Sequence, residues 1–285
     1  MTLRFTKMHG IGNDFVVIDA IRQQVDLCPG QVRFLADRRY GVGCDQVLLA
    51  EPATEAGADF RYRIFNADGS EVEQCGNGVR CLAVFLADQG YTSERELVIQ
   101  TLGGPTRVIL QPDGRVAVDM GAPRLEPSTI PFLAERQQTT YPLDVDGERL
   151  SIAALSMGNP HAVIQVAEVE SAPVARLGPL IENHTAFPRR ANAGFMQVVD
   201  RSRIRLRVHE RGAGETLACG TGACAAVVAG RMQGLLADEV RVSLPGGELL
   251  IHWNGNGGSV WMTGPATTVF SGEVELPGDA PGKAR

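Results

Sequence analysis

Two cysteines 144 residues apart stand in matched surroundings. Cys75-Gly76-Asn77-Gly78 opens a segment closing at Gly90, and Cys219-Gly220-Thr221-Gly222 opens one closing at Gly234. A cysteine at a helix start feels about half a positive charge from the helix dipole and faces backbone N–H groups that lack an intrahelical acceptor. Both effects lower a thiol pKa from its usual value of about 8.5, so that part of it is thiolate near neutrality. The same N–H groups can hold a carboxylate. Gly76 and Gly220 let backbone approach a ligand closely, while Asn77 and Thr221 add side-chain donors. If the two turns face one another, a thiol stands on either side of one bound anion, as needed to take a proton from one face of an α-carbon and return one to the other. The alternative is that both are small core residues in tight turns, where cysteine is common. Their duplication favours chemistry.

The similarity extends upstream at the same offset. Arg61, Arg63 and Glu71 recur as Arg205, Arg207 and Glu215, and Val84 and Gln89 as Val228 and Gln233, making nine identities over residues 61–90. Ordinary composition would give roughly two. The chain therefore reads as a duplicated domain. In the paired strands Tyr62, Ile64 and Asn66 share one face, as do Leu206, Val208 and Glu210. A carboxylate ending such a core-facing row needs a partner, and a thiol or a substrate ammonium would serve. A second equivalence, at an offset of 146, relates Gly12-Asn13-Asp14-Phe15 to Gly158-Asn159-Pro160-His161. His161 replaces Phe15 just as Glu210 replaces Asn66, and ionisable groups in a cleft are candidates for proton transfer. The alternative for His161 is a ring satisfied by a backbone carbonyl in its turn. His9, His184, His209 and His252 receive that plainer reading, and Cys28, Cys44, Cys81 and Cys224 are read as structural.

Strand signals dominate the elements that must hold these groups. Period-two alternation is clearest in Phe60–Ile64 and Ile204–Val208, with shorter apolar runs at Phe15–Ile18, Val47–Leu49, Val163–Val166 and Leu249–Ile251. Helices are expected over residues 76–89 and 220–233, each stopping at a glycine suited to a left-handed cap. The second is apolar on nearly every face and should be buried all round. The fold expected is α+β: two pseudo-symmetric domains, each a curved, mostly antiparallel sheet wrapped around a central helix. The first comprises residues 1–120 with a returning segment 265–285, and the second residues 121–264. Residues 278–285 read as a frayed polar tail.

Composition narrows the function classes. A hydrophobic share of 44%, a charged share of 21% and a net charge of −6 suit a soluble globular protein and argue against a nucleic-acid partner. No apolar run is long enough for a membrane span, and nothing reads as a signal peptide, so the expected location is cytoplasmic. Six cysteines without a Cys-x-x-Cys unit fit neither a disulfide scaffold nor a redox dithiol, and no cluster has metal-ligand spacing, so no metal is expected. No P-loop or dinucleotide fingerprint is present.

The motifs Gly12-Asn13-Asp14-Phe15, Gly43-Cys44-Asp45-Gln46, Asn66-Ala67-Asp68-Gly69-Ser70, Cys75-Gly76-Asn77-Gly78, Met157-Gly158-Asn159-Pro160-His161, Glu210-Arg211-Gly212 and Ala218-Cys219-Gly220-Thr221-Gly222 stand in this order. Together they resemble the diaminopimelate epimerase family of cofactor-independent isomerases, over nearly the whole chain. The resemblance implies interconversion of L,L- and meso-diaminopimelate in lysine and peptidoglycan synthesis. It implies Cys75 and Cys219 as thiolate base and thiol acid, with His161 and Glu210 assisting. Substrate contacts implied are Asn13, Gln46, Asn66, Gly76, Asn77, Asn159, Asn192, Glu210, Arg211, Gly220 and Thr221. Among these, Asn66, Asn159, Asn192 and the bidentate fork of Arg211 would read the distal amino-acid head. The family is usually a homodimer with a tyrosine near the C-terminus at the contact, where this chain has Phe270. No cofactor is expected. Pyridoxal phosphate needs a lysine, and the only ones are Lys7 and Lys283, near the two chain ends. Two rivals remain: a proline or hydroxyproline racemase sharing the paired thiols, and a non-catalytic amino-acid-binding protein.

Overall fold

The computed structural model describes residues 1–73 and 75–278. Apart from Gly278, the expected polar tail lies outside the described residues, as does Lys283. Two compact units form, one from Met1–Val118 with the segment beginning at Gly264, the other from Asp119–Thr263.

The two units repeat one strand plan. In the first, Thr2–Gly10 pairs antiparallel with Asn13–Asp19, which runs parallel to Gln46–Pro52. Phe60–Asn66 then pairs antiparallel to Gln46–Pro52 and parallel to Glu96–Thr101, which forms a hairpin with Gly104–Leu110. In the second, Glu148–Ser156, Pro160–Gln165, Asn192–Asp200, Arg203–Glu210, Glu239–Leu244 and Gly247–His252 follow the same sequence of antiparallel and parallel steps. Each parallel step needs a crossover, and a helix supplies it. The crossovers are α1 (Pro29–Ala36) and α2 (Gly76–Asp88) in the first unit, α3 (Val174–Glu182) and α4 (Gly220–Met232) in the second. None of these helices is long and apolar enough to cross a membrane.

The expected helices over 76–89 and 220–233 are α2 and α4, and each is followed by a left-handed glycine, Gly90 at φ 72° and Gly234 at φ 73°. Burial along α4 is continuous from Gly222 to Gly230, as its lack of a polar face predicts. Beside the expected central helices, α1 and α3 cover the opposite faces of the strands. Val16, Ile18, Val47 and Leu49 pack with Val32 and Leu35 of α1. Their neighbours Phe15, Leu48 and Ile64 face Gly78 of α2. Covered on both faces, these strands read as continuous apolar runs rather than strict alternation. Helix α3 escapes sequence reading because Pro179 lies inside it, although Val174, Leu177 and Ile181 keep helical spacing on its buried side.

Candidate active site

The parallel steps put the candidate polar residues in register. Phe15 lies opposite Gln46, and Gln46 opposite Asn66, forming a row across three strands of the first unit. In the second, His161 lies opposite Asn192, and the antiparallel pairing that joins Ala193 to His209 puts Glu210 next in line. Helix starts bring the cysteines to the same ends of these sheets. Cys75 and Cys219 are the extended residues that cap α2 and α4, with φ −139° and −106°.

Hydrogen bonds tie the first group together. The Cys75 thiol donates to Asn13 Oδ1 (3.7 Å), which also accepts from Asn77 Nδ2 (3.2 Å), while the Cys75 N–H donates to the buried Tyr62 hydroxyl (2.9 Å). Asn13 Nδ2 donates to Asp45 (3.0 Å), and because a carboxylate only accepts, this contact fixes which end of the amide meets the thiol. Gln46 Nε2 donates to Asn66 Oδ1 (3.0 Å), whose own amide reaches Ser70 Oγ (3.3 Å). Beneath them Asp14 accepts from Lys7 and from both ends of the Arg38 guanidinium. Burial pushes the Asp14 carboxyl up, but Arg38 and Lys7 together hold it well below the usual carboxylate range.

The second group is more deeply buried. His161 Nε2 lies 3.0 Å from Asn159 Oδ1 and 3.4 Å from Asn192 Nδ2. Asn159 Nδ2 donates to Thr221 Oγ1 (3.3 Å), and Asn192 Oδ1 accepts from the Arg211 N–H (2.8 Å). Burial, followed by the Arg211 charge, pushes His161 down to about 3, so its ring is neutral near pH 7. Cys219 Sγ accepts from the Gly222 N–H (3.3 Å) and sits 3.7 Å from Thr221 Oγ1. Even so, burial and then the charge and hydrogen bond of Glu210 raise this thiol well above its ordinary value. The expected lowering by the helix start is thus overturned at Cys219, because loss of hydration and a neighbouring carboxylate outweigh a partial dipole charge. Glu210 also accepts from the Thr216 hydroxyl.

A sequence profile described as diaminopimelate epimerase matches residues 5–126 and 153–269. The chain is 64% identical over 278 residues to the diaminopimelate epimerase of Thioalkalivibrio sulfidiphilus, covering 97% of this chain and all of that one. It is 63% identical, with the same coverage, to that of Alkalilimnicola ehrlichii. This chain belongs to the diaminopimelate epimerase family. Among solved structures, a hydroxyproline epimerase from Agrobacterium vitis aligns with a TM-score of 0.71 at 17% identity, covering 98% of this chain and 94% of that one. A phenazine biosynthesis protein of the PhzF family from Bacillus anthracis aligns at 0.69 and 16% identity, covering 97% and 100%. At such identities these two share the fold.

The diaminopimelate epimerase-like fold thus gathers Asn13, Gln46, Asn66, Cys75, Gly76 and Asn77 in one unit. In the other it gathers Asn159, His161, Asn192, Glu210, Arg211, Cys219, Gly220 and Thr221. Phe270 lies elsewhere, half-exposed on Thr267–Glu275 with its ring edge-on to Phe5 at 5.9 Å. Cys44 and Cys81 are core thiols, each pushed up to about 12 by burial. Tyr62, Asp45 and Glu182 were missed as supports. Tyr62 precedes Asn66 on the same strand face and Asp45 adjoins Gln46, so both had a readable signal. Glu182 had none, because its helix was hidden.

Proposed function

We propose that this protein epimerises L,L-diaminopimelate to the meso isomer, supplying lysine and peptidoglycan synthesis. The observation that carries the reading is the repeated row of polar side chains beside a helix-capping cysteine, in a member of this family. One cysteine, as thiolate, takes the α-proton and leaves its electron pair on the carbon and the adjoining carboxylate. The other, as thiol, delivers its proton to the opposite face. The pair ends with roles exchanged, which lets the reverse reaction use the same groups. The raised pKa of Cys219 fits the proton donor of the pair.

Stabilising the carbanion falls to electrostatics. The first-turn amides of α2 and α4 would hold the reacting carboxylate as charge develops on it, a kind of contact worth on the order of 3 kcal/mol per well-aimed donor. That leaves no task for pyridoxal phosphate, and Lys7 is already engaged by Asp14 and the Gly43 carbonyl. His161 and Glu210 assist the two thiols. Asn66, Asn159, Asn192 and Arg211 read the distal head, and Asn13, Gln46, Gly76, Asn77, Gly220 and Thr221 complete the contacts. We assign the enzyme to the cytoplasm, where its thiols stay reduced, and to a homodimer whose contact includes Phe270.

Mass spectrometry of L,L-diaminopimelate incubated in D₂O with reduced protein tests the reaction. The expected product is meso isomer carrying deuterium at one α-carbon, with formation lost in both Cys75→Ala and Cys219→Ala. Folded, reduced wild-type protein that exchanges nothing would sink the proposal.

A further inference from the structure

Glu182, the last residue of α3, is a buried carboxylate that takes no part in the chemistry above. It is 6% exposed and stands at the helix end where the dipole disfavours negative charge. Three donors from two other segments hold it there. Oε2 accepts from His209 Nε2 (2.9 Å), and Oε1 from the Gly212 N–H (3.0 Å) and from Arg190 Nη1 (2.9 Å). Its backbone carbonyl accepts from the Ala191 N–H (3.1 Å). One residue therefore grips positions 190 and 191 on one segment and 209 and 212 on another. Those positions directly precede Asn192 on the first segment and bracket Glu210 and Arg211 on the second.

The surroundings are shaped to this arrangement. A Cβ on Gly178 of α3 would come within 2.5 Å of the His209 ring, so the helix backbone presses directly on the imidazole. Arg190 holds a left-handed backbone, φ 59°, a conformation that non-glycine residues adopt only where their surroundings hold them in it. Stability alone gives little reason to bury such a group, because well-packed apolar residues commonly serve as well or better. What the carboxylate adds is direction, since its two oxygens accept only from donors held within hydrogen-bond reach.

We infer that Glu182 is a positioning residue for the distal-head subsite, registering the segment that carries Asn192 against the one that carries Glu210 and Arg211. This rests on the proposed epimerase reading. The path continues from the Gly212 N–H to the adjoining Arg211, whose N–H meets Asn192 Oδ1. With Asn192 Oδ1 so occupied, its Nδ2 is turned toward His161. A shift of the 209–212 segment would therefore misplace Arg211 and Asn192 at the distal subsite and, through Glu210, disturb the hydrogen bond to Cys219 as well.

The test is steady-state kinetics of wild type, Glu182→Gln and Arg190→Ala, with thermal melting of each. Glutamine keeps the volume but offers one acceptor oxygen where three donors converge. The expected result is a rise of about tenfold in KM for L,L-diaminopimelate, with a smaller fall in kcat, of about threefold, from the displaced Glu210. Arg190→Ala removes one donor from a half-exposed side chain and should raise KM about threefold, deciding the matter if Glu182→Gln does not fold. A lowered melting temperature with unchanged KM in folded variants would make Glu182 a purely structural residue and overturn the inference. Wild-type protein with no epimerase activity would instead overturn the reading on which it rests.

Discussion

His161 and Phe15 occupy the same register position in the two units, yet only one of them titrates. Phe15 fills its place with carbon at no electrostatic cost, whereas the equally buried imidazole cannot hold a proton easily and is pushed down to about 3. The unfolded chain takes up that proton near pH 6.5, so it binds more protons than the folded chain between about pH 6.5 and about 3. Stability must therefore fall as pH drops through that window. Denaturant melts of wild type and His161→Gln should show the wild type losing stability relative to the variant between pH 7 and pH 4, and parallel curves would mean the ring is hydrated rather than buried. Site residues of this kind were legible because duplication exposes substitutions: a histidine for a phenylalanine, a glutamate for an asparagine. Asn192 entered only through the family resemblance, although its spacing was there to be read. It follows His161 by 31 residues, as Gln46 follows Phe15, and the parallel pairing puts both in line. The Glu182 contacts could not be read so, because they join side chains far apart in sequence through a helix that the pattern concealed.

At the scale of elements, the third residue of each cysteine-capped helix lies in close contact with the sheet. A Cβ on Gly222 would come within 3.0 Å of both Cys219 Sγ and Val208 Cγ2, while one on Gly78 would meet only the tips of Ile64, Phe15 and Leu48 at 3.2–3.4 Å. Overpacking of this sort costs about 1–3 kcal/mol. In Gly222→Ala the new methyl group presses on the thiol itself, so kcat should fall about tenfold or more with a modest loss of thermal stability. In Gly78→Ala the flexible tips can yield, and the kinetic loss should be smaller. Equal kcat losses in the two variants, measured beside their melting temperatures, would show that helix displacement rather than contact with sulfur controls the effect. The pattern that made α2 and α4 legible, a glycine-rich start and a glycine stop, is the pattern this close approach requires. Helix α1 lacks it, being eight residues long and opening on Pro29 behind Cys28, whose N–H donates to Gln31 Oε1. Such a short helix is stabilised by packing on the sheet more than by its own sequence.

On the scale of the whole molecule, the outermost strands of the two repeats are unequal: Tyr141–Val145 pairs antiparallel with Glu148–Ser156, and the longer Thr267–Glu275 holds the equivalent place beside Thr2–Gly10. Thr267–Glu275 returns to pair with Thr2–Gly10, with a register irregularity between Lys7 and Met8. Its first five residues, Thr267 to Ser271, are all exposed, including Val269 at 56% and Phe270 at 49%. A strand alternates faces, so exposure of successive residues means that neither face is covered over this stretch. Single exposed apolar residues are ordinary, but two neighbours on an uncovered strand form the kind of patch that a second copy of the chain would bury. Phenylalanine contributes the apolar area of a contact without a hydroxyl to satisfy, and its ring already rests edge-on against Phe5. Light scattering on the eluting peak should therefore give wild type the mass of a dimer, and Phe270→Glu the mass of a monomer with an unchanged circular dichroism spectrum, since the substituted side chain is half in solvent and outside both catalytic groups. Placing a charge at a closely packed symmetric contact sets two carboxylates against each other, and at an effective dielectric of about 20 that repulsion is a few kcal/mol. A wild type that stays monomeric as its concentration is raised would mean that Val269 and Phe270 simply face water.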